Sequence, residues 1–140
     1  MIPKLTPRVQ DIVLPLLREG LGPGIHVRTW SDNVEHREYP EVRVRRLGGL
    51  NSLGSIQNGL EHPVVEITAT TREGLAATED LAIRCRNILV NSRNVVVPGV
   101  GHLVRVRETL GMTQFPSEIQ GTWRVQQLLR TDFRYPRRRG

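Results

Sequence analysis

Between Val9 and Leu17 apolar residues recur every three or four positions. Val9, Ile12, Val13, Leu16 and Leu17 share one face, which is the spacing of an amphipathic helix. Thr6 is placed to cap it, Pro7 suits the first helical position, and Gly20 is expected to end it. Pro15 removes an interior hydrogen bond and predicts a bend, tolerable because it lies off the apolar stripe. Gly20 to Gly24 then reads as a turn, Ile25 to Trp30 as a strand and Ser31 to Pro40 as a polar loop. From Glu41 to Leu47 the period changes to two, with Val42 and Val44 on one face and Arg43 and Arg45 on the other. Gly48 to Pro63, rich in Gly, Asn and Ser, has no such period and is expected to be a long loop.

A third strand is predicted over Val64 to Thr70. A capping-box spacing at Thr70 and Glu73 opens a second helix, Glu73 to Val90. Its stripe is Leu75, Leu81, Ala82, Cys85, Ile88 and Leu89. Val95 to Val97 is a short extended piece. Leu103 to Thr109 is a strand with Val104 and Val106 inside and Arg105 and Arg107 outside. A loop at 110–121 leads to a last strand over Thr122 to Phe133. There Trp123, Val125, Gln127, Leu129, Thr131 and Phe133 share one face, and Arg124, Gln126, Leu128, Arg130 and Asp132 the other. The order predicts an α+β fold: a central antiparallel or mixed β-sheet of about four to five strands with two α-helices on one face. One domain is expected over 1–133, followed by a basic tail at 134–140.

Charge adds a second theme. The chain carries a formal charge of +6, and its basic residues are nineteen arginines against one lysine, Lys4. Arginine makes planar, bidentate contacts to carboxylates and phosphates. GC-rich coding gives the same bias, so the composition alone does not assign a function. No apolar run approaches the ~20 residues of a membrane span, and no secretory signal is visible at Met1 to Leu5, so cytoplasmic synthesis is expected.

Chemistry was sought in the remaining motifs. The single cysteine, Cys85, excludes an internal disulfide and sits on a buried helical stripe, where a core thiol is expected. The four histidines are scattered without metal-ligand spacing. Gly20 to Gly24 follows a helix, whereas a phosphate-binding glycine loop follows a strand; Gly48 to Gly54 lacks the Lys and Ser/Thr of a P-loop. Glu66, Glu108 and Asp132 suggest a metal-dependent nuclease only if they cluster; ion pairs with neighbouring arginines are the plainer expectation. No cofactor and no catalytic residue is expected. The arginines Arg43, Arg45, Arg105, Arg107, Arg124 and Arg130 project from the sheet face opposite the valines. They suit nucleic acid, a channel lining, or an interface with Glu41, Glu66 and Asp132 of a neighbouring copy. The base-stacking aromatics of an RNA-binding sheet are missing.

Several segments carry a family likeness: the helix ending Leu16-Leu17-Arg18-Glu19-Gly20; Val42-Arg43-Val44-Arg45-Arg46-Leu47-Gly48-Gly49; Val64-Val65-Glu66-Ile67-Thr68-Ala69 running into a helix; and the hairpin joining Leu103–Glu108 to Thr122–Arg134. In this order and length the chain resembles the tail-terminator proteins of long-tailed bacteriophages. The resemblance implies a virion protein that forms a homohexameric ring. Such a ring caps the major tail tube protein, stops its growth and offers a surface to the head-tail connector. Viral DNA would pass through the lumen without sequence-specific binding, and no membrane is involved. The expected interface or lumen residues are the six arginines with Leu50, Leu53, Ile56 and Phe115, on the loops 48–61 and 110–121. A head-completion or neck protein, and a nucleic-acid-binding module using the arginine faces, are the alternatives.

Overall fold

The structure, a computed structural model, describes residues 8–29, 37–50, 60–117 and 119–134, with the backbone alone at 48–50 and 60. The elements run α1 (Gln10–Leu21), β1 (His26–Arg28), β2 (Glu41–Leu50), β3 (Leu60–Thr71), α2 (Leu75–Val90), β4 (Val95–Val97), β5 (Gly101–Phe115) and β6 (Trp123–Arg134). The strands form one sheet in the order β1-β2-β3-β6-β5-β4. The β1–β2 pair is parallel and the other four pairs are antiparallel. The α+β class and mixed sheet are as expected, but the sheet has six strands rather than four to five. The added strand is Val95–Val97, which pairs with Gly101–Leu103 across a short turn.

Both helices cover one face. Ile12, Val13, Leu17 and Leu21 of α1 and Leu81, Ala82, Cys85 and Leu89 of α2 are buried against Val42, Val44, Val65, Ile67, Ala69, Leu103, Val106, Val125, Leu129 and Phe133 of the sheet. At about 1.5–3 kcal/mol for each large aliphatic side chain, this burial dominates the driving force. Two buried polar residues tie elements together, one across the layers and one between neighbouring strands. Gln127 on β6 donates from Nε2 to the Ala82 carbonyl of α2 at 2.7 Å, and the Thr131 hydroxyl donates to the Pro63 carbonyl at 2.8 Å.

Local details correct several expectations. The α1 cap at Thr6 and Pro7 lies outside the described residues. The helix continues through Pro15, which faces solvent, so water can take the place of its missing N–H. It ends at Gly22, not Gly20; Gly22 has φ 86° and its N–H donates to the Arg18 carbonyl. Gly20 stays helical because α2 packs there: a Cβ would meet Ile88 Cδ1 at 2.6 Å. The Thr70–Glu73 capping box does not form, because β3 runs on to Thr71 and Gly74 takes the cap position. Instead the Thr71 hydroxyl accepts the Glu73 N–H at 3.2 Å and pairs with the Thr78 hydroxyl at 2.8 Å.

The largest difference is in β5. Residues 110–115, expected to be loop, are strand: Leu110 pairs with Leu128, Thr113 with Gln126 and Phe115 with Arg124. Three register shifts lie in β5, at Leu103/Arg105, Glu108/Leu110 and Leu110/Thr113. Each adds a residue and reverses the inside–outside parity, so no simple alternation marks the strand. The first shift also moves Val104 off the core face and puts Leu103 there instead, fully buried.

Candidate functional site

The sheet face away from the helices carries the arginines. Cross-strand register sets them in rows: Glu41–Thr70–Arg124–Phe115, Arg43–Thr68–Gln126–Thr113, Arg45–Glu66–Leu128–Leu110, and Val64–Arg130–Arg107. One row further along, Asp132 pairs with Arg105. Arg124 and Asp132 are eight residues apart on β6, roughly 27 Å at ~3.3 Å per strand residue. The face therefore has two ends.

At one end three arginines surround a single acid. The Asp132 side chain is 11% exposed; its Oδ1 lies 2.7 Å from His62 Nδ1 and 3.6 Å from Arg130 Nε. Its Oδ2 lies 3.4 Å from Arg105 Nε and 3.9 Å from Arg107 Nη2. One carboxylate thus organises Arg105, Arg107 and Arg130, which would otherwise repel one another. In the middle, Arg45 Nη2 pairs with the buried Glu66 Oε2 at 3.0 Å, while Arg46 and Glu61, whose row partners are the core residues Val65 and Phe133, pair at 3.3 Å on the helix side of the sheet. Glu66 and Asp132 thus have cation partners within the chain.

At the other end lies a polar cleft of about 90 Å³, lined by Arg37, Tyr39, Glu41, Arg43, Thr68, Thr70, Ser117, Ile119, Thr122 and Arg124. Ser117 and residues 119–122, which wall it, are held by the Ser117 and Thr122 hydroxyls, which bond to each other, and by Thr122 Oγ1 donating to the Ile119 carbonyl at 2.6 Å. Arg124 also stands over the Phe115 ring, 5.9 Å from its centroid, and Arg72 over the Tyr39 ring at 5.0 Å.

The six expected arginines thus separate into Arg43 and Arg124 at the cleft, Arg45 on Glu66, and Arg105, Arg107 and Arg130 on Asp132. Phe115 closes the end of β5 beneath Arg124. Leu53, Ile56 and the side chain of Leu50 lie outside what the structure describes. His62, Tyr39, Arg37 and Thr68 were missed. Thr68 was legible from the alternation of β3, because it shares parity with Glu66; the other three reach the face only through the fold.

The carboxylates proposed for a nuclease do not meet. Glu66 and Asp132 are on the arginine face, while Glu108 is on the helix face, where it pairs with Arg86 of α2 at 3.5 Å. Among the described residues no three His, Cys, Asp or Glu side chains converge as a metal site, and no helix is long and apolar enough to cross a membrane. Burial pushes the Cys85 thiol up to about 12, against a smaller opposing pull from Arg84. The thiol is therefore neutral at any ordinary pH and a poor nucleophile.

Comparison with known proteins gives these features a setting. Residues 5–139 match the family described as phage tail termination protein. The chain is 40% identical over 134 residues to the gene 22 protein of Mycobacterium phage L5, covering 94% of this chain and 95% of that one. It is 37% identical over 134 residues to the gene 22 protein of Mycobacterium phage D29, with the same coverage. Its fold is similar to a chain in the virion of a native gene transfer agent particle, with a TM-score of 0.59 at 17% identity, covering 90% of this chain and 94% of that one. The chain belongs to the phage tail termination protein family, and is a structural protein of the bacteriophage virion tail.

Proposed function

We propose that six copies close into a ring on the last layer of the tail tube, stop tube growth there, and present the other side of the ring to the head-tail connector. The observation that supports this best is the pair of open edges on the sheet. β1 covers β2 only at Glu41–Arg43, and β4 covers β5 only at Gly101–Leu103. Among the described residues, β2 from Val44 and β5 from Arg105 have no strand on their outer sides. Unpaired edges recruit further strands, and two different edges on one molecule suit the head-to-tail contacts that close by rotation. β5 is also the exposed one: Leu110 is 46% exposed in the middle of it. The arginine face would then line or flank the path of the viral DNA without reading its sequence. Residues 48–61 and 110–121, the first half of the latter belonging to strand β5, are the expected ring and tube contacts.

The test has two parts. Native mass measurement of the purified chain is expected to give a closed oligomer, which Leu110→Glu disperses without loss of secondary structure. Particles assembled without the chain are expected to show headless tails of uncontrolled length. Normal tails with leaking filled heads would instead assign it to the neck. A monomer that binds DNA with a steep salt dependence would replace the ring by a nucleic-acid-binding role. Hydrogen exchange that shows no protection gained in 48–61 or 110–121 on assembly would remove those segments from the interface.

A further inference from the structure

We infer that the cleft between Ser117, residues 119–122 and the ends of β2, β3 and β6 is a carboxylate-binding site, built to take an Asp or Glu side chain from an adjoining tail subunit. Buried polar groups are almost always paired, because leaving one unpaired costs about 1–3 kcal/mol. Four groups in this one cleft are buried without a partner: Arg43 Nε, Arg124 Nε, Tyr39 Oη and the Thr68 hydroxyl. All four can donate. Thr68, at the floor, is only 2% exposed, and its geometry is set by the sheet.

Charge points the same way. Among the described residues the lining holds Arg37, Arg43 and Arg124 against one acid, Glu41. Arg37 and Glu41 each have an interaction of their own, and no carboxylate among the described residues pairs with Arg43 or Arg124. Arg43, Arg124, Tyr39 and Thr68 line the same cleft and each keeps an unpaired donor, a donor set that suits one oxyanion through the charge-assisted contacts in which arginine binds most strongly. Size selects the source. A cleft of about 90 Å³ admits a carboxylate on a short stem. A DNA duplex, whose phosphates need guanidiniums standing proud of the surface, cannot bring its backbone to Thr68. That the carboxylate belongs to a tail subunit rests on the assembly reading above; that the cleft binds a carboxylate does not.

The experiment uses the full chain and measures melting temperature in 100 mM glutarate, in inorganic phosphate and in NaCl at matched ionic strength. A ligand at ten times its dissociation constant stabilises the folded state; glutarate is expected to raise the melting temperature by about 3–5 °C over NaCl, and phosphate by less. The gain is expected to vanish in Arg43→Gln/Arg124→Gln and to shrink in the near-isosteric Thr68→Val, but to persist in Arg86→Gln on the other face. No glutarate effect in the wild type, or an equal effect in the double variant, overturns the site. A larger effect of phosphate than of glutarate overturns the carboxylate assignment. Should glutarate bind as expected while double-variant copies still join tails normally, the assigned occupant is wrong although the site stands.

Discussion

Replacing Asp132 by Asn is the most direct probe of the arginine face. The substitution keeps shape and one acceptor oxygen but removes the only negative charge among His62, Arg105, Arg107 and Arg130. The structure sets the size of the effect. The Arg105, Arg107 and Arg130 side chains are 50%, 52% and 43% exposed, so each pair is screened and contributes about 0.5 kcal/mol, as surface ion pairs do. The His62 contact is shorter, at 2.7 Å, and mostly buried, and a charge-assisted bond there contributes roughly 1.5 kcal/mol. The sum is about 3 kcal/mol. The amide oxygen recovers some of it by still accepting from His62, so a net loss of about 2 kcal/mol is expected. Urea unfolding followed by tryptophan fluorescence measures it; in a chain this size it corresponds to a fall of about 4–8 °C in melting temperature. Because the loss is electrostatic, 0.5 M NaCl should reduce it by roughly half. Arg105→Gln should cost less in the Asp132→Asn background than in the wild type. A loss under ~0.5 kcal/mol, or one indifferent to salt, would show that Asp132 does not organise the arginines.

Other outcomes follow from the packing. Gly101→Ala is expected to cost about 3 kcal/mol or more by thermal denaturation, because its Cβ would meet Phe133 Cζ at 2.6 Å and the Arg134 carbonyl at 2.7 Å, at φ 151°. Gly20→Ala should cost under ~1 kcal/mol, since the Ile88 side-chain end can turn aside and alanine favours the helix; equal costs would contradict this. Cys85 should resist iodoacetamide at pH 8 in the native protein and react fully in urea. Its thiol is neutral in the fold up to about pH 12 but ionises from 9 in the unfolded chain, so stability present below pH 9 is lost as pH rises toward 12. A Cys85→Ala variant with the same alkaline decline would assign that decline to other groups. Gln127→Leu should remain within ~1 kcal/mol of wild type in urea titration, because it removes the unpartnered Oε1 together with the Ala82 bond. Gln127→Ala should lose about 2–3 kcal/mol through the cavity it leaves.

What the chain's order of residues determined by itself is where period was strict. The stripe from Val9 to Leu17, the alternation of Val42 and Val44 with Arg43 and Arg45, and the alternation along β6 each name a buried face, and each is buried as named except Leu16 and Trp123, which are only partly covered. Burial of apolar surface leaves that trace because each side chain repeats at the pitch of its own element.

Only the tertiary structure decided the rest. Bulges reversed parity in β5, so the strand that forms the open edge had no period to read. Gly20 looked like a stop and proved to be where one helix leaves room for another. Above all, the arginine face could be predicted as a face but not divided. Which guanidinium meets Glu66, which gather on Asp132, and which stand unanswered around Thr68 depend on register between strands far apart in the chain. Electrostatic partnership follows distance in space, and local sequence does not encode it.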